Sequence, residues 1–133
     1  MAAIAADTEI RMVIEQMLEA LNVGDRDRLR TFLAQRPDAL HIGTDPDEWM
    51  TSEEVVATLG GVETLSVKAV LDDITVHTES SDVAWAVGHV HFQSESRSSR
   101  PVRMTEVLAR DGDRWTIVHS HYSIGVPNSE LFG

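Results

Sequence analysis

Cysteine is absent from this chain. Neither a disulfide framework nor a thiolate zinc site is therefore open to it. Lysine is almost absent too, Lys68 being the only one, and 11 basic residues face 22 acidic ones for a net charge of −11. A surface of that sign repels phosphate backbones and anionic bilayers, so neither nucleic acid nor membrane is expected as a partner. The acidity reads as a solubility device, which suits a cytoplasmic setting. Long apolar runs are missing as well. The opening "MAAIAADTEI" has no basic region, and Asp7 interrupts its short apolar stretch, so neither a signal peptide nor a membrane span is expected. No linker, repeat or low-complexity tract divides the 133 residues, a length that suits one domain, 1–133, around one hydrophobic core.

What is present is patterned in two blocks. Ile10, Val13, Ile14, Met17, Leu18 and Leu21 recur at helical spacing and predict a helix over 7–22, capped by Asp7 or Thr8. A second short helix follows with Leu29, Phe32 and Leu33 inward, ending before Pro37. "ALHIG", 39–43, predicts a short strand, and "TDPDEWM", 44–50, a loop. Thr51 and Glu54 have capping-box spacing for a third helix, which Gly60-Gly61 would stop. Beyond residue 62 the pattern becomes that of strands, at 65–78, 83–92, 102–110 and 114–124. Asp111-Gly112 is the strongest hairpin signal among their connectors. Helices first and an antiparallel meander after them predict an α+β domain with helices on one sheet face.

Strict alternation places Trp115, Ile117, His119, His121 and Ser123 on one face of the last strand. Thr116, Val118, Ser120, Tyr122 and Ile124 take the other. Strand 83–92 likewise sets Val83, Trp85, Val87, His89 and His91 against Ala84, Ala86, Val90 and Phe92. Both faces carry apolar groups while the helices cover only one, which predicts a homodimer across the second face. The hairpin register is open at this level. An even register sets Arg103 and Thr105 across from His121 and His119, and a two-residue Asp-Gly loop sets Met104 and Val102 there.

The segment "RMTEVLARDGDRWTIVHSHYSIGVP", 103–127, resembles the end of SnoaL-like proteins of the nuclear transport factor 2-like superfamily. It is also similar to the association domain of calcium/calmodulin-dependent protein kinase II. The shared features are a strand with Thr, an Asp-Gly turn, Trp, an apolar pair and His-x-His-x-Ser. "HIGTDPDEW", 41–49, resembles the SnoaL-like stretch before the third helix. The resemblance implies a cone-shaped curved antiparallel sheet packed on three N-terminal helices. It implies a pocket at the open end of the cone, lined by His119, His121 and Ser123. Ketosteroid isomerases share the superfamily, but here Gly43 stands near the position of their base and Tyr122 is the only tyrosine, so steroid isomerisation is not implied.

Several side chains are candidates for chemistry on this reading. His121 can act as acid, base or donor near neutral pH, and Ser123 can donate to the same ligand. Arg103, if inward, would hold a carboxylate or an enolate bidentately, with Thr105 orienting it. Asp45, Asp47 and Glu48 precede Trp49, and one of them could serve as a rim base, although Asp-Pro-Asp reads as a turn followed by a helix start. Trp49 and Trp85 could wall the pocket, with His89 beside them. His89-x-His91 and His119-x-His121 could bind zinc only if all four faced inward, and no fixed carboxylate partner is evident, so no metal and no cofactor are expected. The reading that follows is a small homodimeric protein binding a small organic molecule, a carboxylate or a ketone. If it is an enzyme, it performs cofactor-free isomerisation, cyclisation or dehydration through His121 and Arg103. The alternative is a non-catalytic ligand-sensing or oligomerisation module like the kinase association domain. The tail also resembles metal-free carbonic anhydrases, matching two of four residues in Ser120-His121-Tyr122-Ser123.

Overall fold

The computed structural model describes residues 2–59 and 66–133. Helix α1 spans Ala2–Val23 and buries Ile10, Ile14, Met17 and Leu18. It begins well before the expected cap, because the alanine-rich stretch ahead of Asp7 is itself strongly helix-forming. Asp7 instead lies inside the helix and pairs with Arg11 one turn on, at 3.1 Å. Gly24 turns the chain at φ 74°, and Asp25 caps α2, Arg26–Phe32, by accepting the Arg28 backbone N–H. Leu29 and Leu33 are buried, as the spacing predicts.

Strand β1 is Leu40–Ile42, and β2, Trp49–Met50, pairs with it inside the segment expected to be a loop. The Thr51–Glu54 capping box is formed and opens α3, Ser52–Thr58. A left-handed residue, Leu59, ends that helix, and the expected Gly60-Gly61 stop lies outside the described residues. Strands β3, Lys68–Thr78, β4, Val83–Gln93, β5, Val102–Asp111, and β6, Arg114–Ser123, form the antiparallel meander. A short 3₁₀ turn, Asn128–Glu130, follows. The six strands make one curved sheet in the order β2-β1-β6-β5-β4-β3, with the three helices on one face. The sheet is mixed rather than purely antiparallel, since β1 lies parallel to β6 with Leu40 beside His119 and Ile42 beside His121.

The β5–β6 hairpin pairs Asp111 with Arg114, so Gly112 and Asp113 are the two turn residues and Gly112 takes φ 67°. Farther along, Leu108 pairs with Ile117 but Val107 pairs with His119. Val118 is therefore an extra residue, a β-bulge that resets which side chains face the helices. Trp115 and Ile117 are buried before it, and Ser120 is buried after it. This corrects the expectation that His119, His121 and Ser123 share the face of Trp115 and Ile117. The bulge turns all three to the face away from the helices.

A second bulge, between Leu71 and Asp73 on β3, brings backbone against Gly88. A Cβ on Gly88 would stand 2.0 Å from the Asp73 carbonyl oxygen. Only glycine allows that approach. Gly88→Ala should lower the free energy of unfolding by about 1–3 kcal/mol. Gly125→Ala, whose Cβ would meet Arg103 at an ordinary 3.5 Å, should be nearly neutral. Urea denaturation of the two variants checks the contrast.

Candidate functional site

A cavity of about 90 Å³ lies between the helices and the inner sheet face. Met17, Leu18 and Leu21 of α1 and Leu29 and Leu33 from the α2 region form its apolar wall. Gly43, Thr44 and Glu48 bound it on the side of the β1–β2 turn. Glu48 folds over Gly43, where a Cβ would stand 2.7 Å from its carboxyl carbon, and it accepts the Asp45 N–H at 2.8 Å. The remaining polar wall is His41, Ser120 and Tyr122. No Arg or Lys lines this cavity.

Behind that wall sits Glu106, on the inner face of β5 between Met104 and Leu108 and fully buried. Its Oε2 lies 2.6 Å from Ser120 Oγ, and its Oε1 accepts the Tyr122 hydroxyl. Ser120 Oγ is in turn 2.9 Å from His41 Nδ1, and His41 Nε2 is 2.9 Å from Ser52 Oγ. Ser52 closes the chain by donating to the Ala34 carbonyl at 2.6 Å. His41, Ser52 and Ser120 are all buried. Strand β1 places His41, the α3 N-terminus places Ser52, and the β6 bulge places Ser120 and Tyr122.

Each serine owns one hydroxyl proton, so the chain can be satisfied in few ways. With Glu106 protonated, its O–H donates to Ser120, Ser120 donates to His41 Nδ1, and His41 Nε2–H donates to Ser52. Every bond is then made and no buried group is charged. Moving that proton to His41 keeps all the bonds but buries an ion pair. Removing it makes Ser120 donate to Glu106, moves the imidazole proton to Nδ1, and turns Ser52 away from Ala34. Electrostatics selects the first state. Burial raises the Glu106 pKa from 4.5 to about 7, against the opposing pull of Ser120 and Tyr122. Burial, with the neighbouring His119, lowers the His41 pKa from 6.5 to about 4. Burial and the adjacent Glu106 also hold the Tyr122 proton well above its ordinary range.

The residues singled out from sequence lie elsewhere. Arg103, Thr105, His121 and Ser123 do come together, but in neither expected register: Thr105 lies across from His121 and Arg103 across from Ser123, with Arg103 Nε donating to Ser123 Oγ at 3.2 Å. They do so on the outer face, and Arg103 and His121 are exposed there. His119 donates Nδ1–H to the Leu40 carbonyl at 2.8 Å. Trp49 is 67% exposed, and Trp85 stacks on His77 on the outer face, so neither walls the cavity. Asp45 accepts the Asp47 N–H at 2.9 Å and serves the turn. His89 pairs with Asp73 and His91 with Asp72. Among the described residues no three His, Asp or Glu converge on a metal position. The inner site of His41, Ser52, Glu106, Ser120 and Tyr122 was not singled out. Its signal was Glu106, a carboxylate in step with Val102, Met104 and Leu108.

The pH dependence of stability follows from the two shifted groups. Glu106 keeps in the folded protein a proton that the unfolded chain releases near the ordinary 4.5, so its stabilisation is full below that and lost as pH rises to about 7. His41 acts oppositely, stabilising above 6.5 and losing that contribution as pH falls toward about 4. The two slopes offset each other between 4.5 and 6.5. Glu106→Gln, which mimics the protonated acid, should remove the first slope. Near about pH 8 it should be more stable than wild type by roughly 3 kcal/mol or less. Chemical denaturation of both proteins across this range measures it.

The SnoaL-like domain profile matches residues 10–127. No curated protein matches the chain. Among solved structures, an NTF2-like protein of unknown function from Pseudomonas putida KT2440 superposes with a TM-score of 0.78 at 23% identity, covering 93% of this chain and 89% of that one. A Xanthomonas campestris protein described as a calcium/calmodulin dependent protein kinase II association domain has a TM-score of 0.72 at 22% identity, with 90% and 87% covered. An uncharacterized cystatin-like-fold protein from Caulobacter vibrioides has a TM-score of 0.73 at 18% identity, with 92% and 91% covered. At these identities the likeness is one of fold. The profile match goes further, and by it the chain belongs to the SnoaL-like domain family.

Proposed function

We propose that the inner cavity binds a small, uncharged, mostly apolar molecule bearing one carbonyl group, and that Glu106 exchanges a proton with it. The observation that carries this reading is a buried carboxyl joined through Ser120 to the cavity wall. A cavity of about 90 Å³ favours a compact ligand. A carboxylate ligand is disfavoured, because no cation lines the wall and an unpaired buried anion is costly. The chemistry is cofactor-free. Ionised Glu106 takes a proton from the carbon beside the carbonyl, by way of the Ser120 hydroxyl, and returns it at another position. A pKa of about 7 suits a group that must both take and give a proton. Isomerisation, cyclisation and dehydration all contain such a step.

Cyclopentanone should raise the melting temperature, and cyclopentanecarboxylate should not. Wild-type protein in deuterated water should exchange the ketone's α-protons, and Glu106→Gln should slow that exchange by about 10²-fold or more. Equal exchange by the two proteins, or stabilisation by the carboxylate alone, contradicts the reading.

The outer face supports assembly as a second property of the same protein. Val70, Val83, Trp85 and Val87 are each 37–43% exposed on neighbouring strands. A second copy presenting the same row would cover them symmetrically. A plain dimer fits a binding or catalytic protein, whereas a ring of six or more units fits an assembly module like the kinase association domain. Light scattering should find a dimer that Trp85→Arg converts to a monomer. A wild-type monomer contradicts the pairing.

A further inference from the structure

A second cavity lies beside the β5–β6 turn, between that hairpin and the segment around the end of α2. Its volume is about 450 Å³, several times that of the inner cavity and within the range of small-molecule sites. Four arginines line it, Arg30, Arg36, Arg110 and Arg114. Of the described residues lining it, only Asp111 is acidic. The chain has 11 basic residues in all and a net charge of −11. Four of those bases border this one cleft.

The four are not equivalent. Arg30 is bridged by Glu53 at 3.0 Å and Asp27 at 3.2 Å, and Arg36 by Asp38 at 2.6 Å. Those two border the cleft with their charge largely answered. Arg110 meets Glu9 only at 3.7 Å. Its Nε donates to the Ser81 carbonyl at 3.1 Å, and its guanidinium lies 4.9 Å over the Trp115 ring, which fixes its plane. Arg114 donates to the Thr31 carbonyl and, among the described residues, is paired with no carboxylate. Arg110 and Arg114 are thus oriented by backbone and ring contacts, with Glu9 at 3.7 Å the one carboxylate among the described residues paired with either.

We infer that this cleft is a binding site for a small molecule bearing a phosphate or diphosphate group, held by Arg110 and Arg114. A planar guanidinium presents paired N–H donors that match two oxygens of one phosphate. A single carboxylate has oxygens enough for one such fork, whereas a phosphate serves two. The cleft exceeds a bare phosphate, and Leu33, Ala34 and Ala109 offer an apolar wall to the group that carries it. The site is separate from the Glu106 chain, although Leu33 lines both cavities.

Calorimetric titration of the intact chain with pyrophosphate, at ionic strength held constant with chloride, tests the site. One saturable event per chain is expected. Arg114→Gln and Arg110→Gln should each weaken it on the order of tenfold, the loss of one charge-assisted contact. Arg114 is exposed, so its replacement leaves the core intact, and a thermal melt of each variant verifies folding. Glu106→Gln should leave pyrophosphate affinity unchanged, which separates this site from the inner one. Absence of saturable heat, affinity untouched by both arginine variants, or equal affinity for citrate each overturns the inference.

Discussion

One extra residue in one strand governs the layout of this protein. Val118 bulges out of the β5–β6 ladder and lets β6 change which of its side chains look inward. Before the bulge the strand contributes Trp115 and Ile117 to the core. After it the inward positions are Ser120 and Tyr122, both of which reach Glu106. An unbroken alternation would have put His119 and His121 against a buried carboxyl and left the two hydroxyls outside. The bulge thus matches a buried acid with neutral hydroxyl partners and keeps the outer histidines apart from it.

The consequence is a core that contains titratable groups and yet stays uncharged up to about pH 7. Glu106 and His41 would each suffer a large desolvation penalty if ionised, and they share a chain whose bonds are all satisfied when neither is. The serines make this possible because a hydroxyl reverses its direction without moving its oxygen. A proton added or removed at Glu106 is therefore felt at Ser52, on the far side of the imidazole. Such a chain stores a proton near neutral pH beside an apolar cavity, which is what a cofactor-free proton-transfer site requires. The outer face and the arginine cleft place charge and exposed apolar surface away from that chain.

Much of the fold was legible because its signals are local. Helical spacing in α1, the Thr51–Glu54 capping box and the Asp-Gly hairpin act over a few residues and survive in the structure. The start of α1 was misread because the cap residues at Asp7 and Thr8 compete with an alanine-rich stretch that propagates helix past them. The parallel pairing of β1 with β6 could not be read, since it joins residues far apart in sequence. The bulge was hidden by Ile117-Val118, two β-branched residues of which either could face inward, with no glycine or proline to mark the kink. That single slip moved His119, His121 and Ser123 to the wrong face and drew attention from Ser120 and Tyr122. Glu106 was readable, since a carboxylate in step with three apolar neighbours announces a buried acid. The arginine cleft was not, because Arg114 meets Thr31 across 83 residues.

The central claim is that Glu106 holds its proton up to about pH 7 and so exchanges it near physiological pH. Carbon-13 NMR of the Glu106 side-chain carboxyl, followed through a pH titration, tests it directly. A midpoint at about 7 would establish the raised acid whose proton the chain from Ser120 to Ser52 shares. A midpoint at or below the ordinary 4.5 would mean a buried carboxylate throughout, and the account of a shared, mobile proton would be wrong.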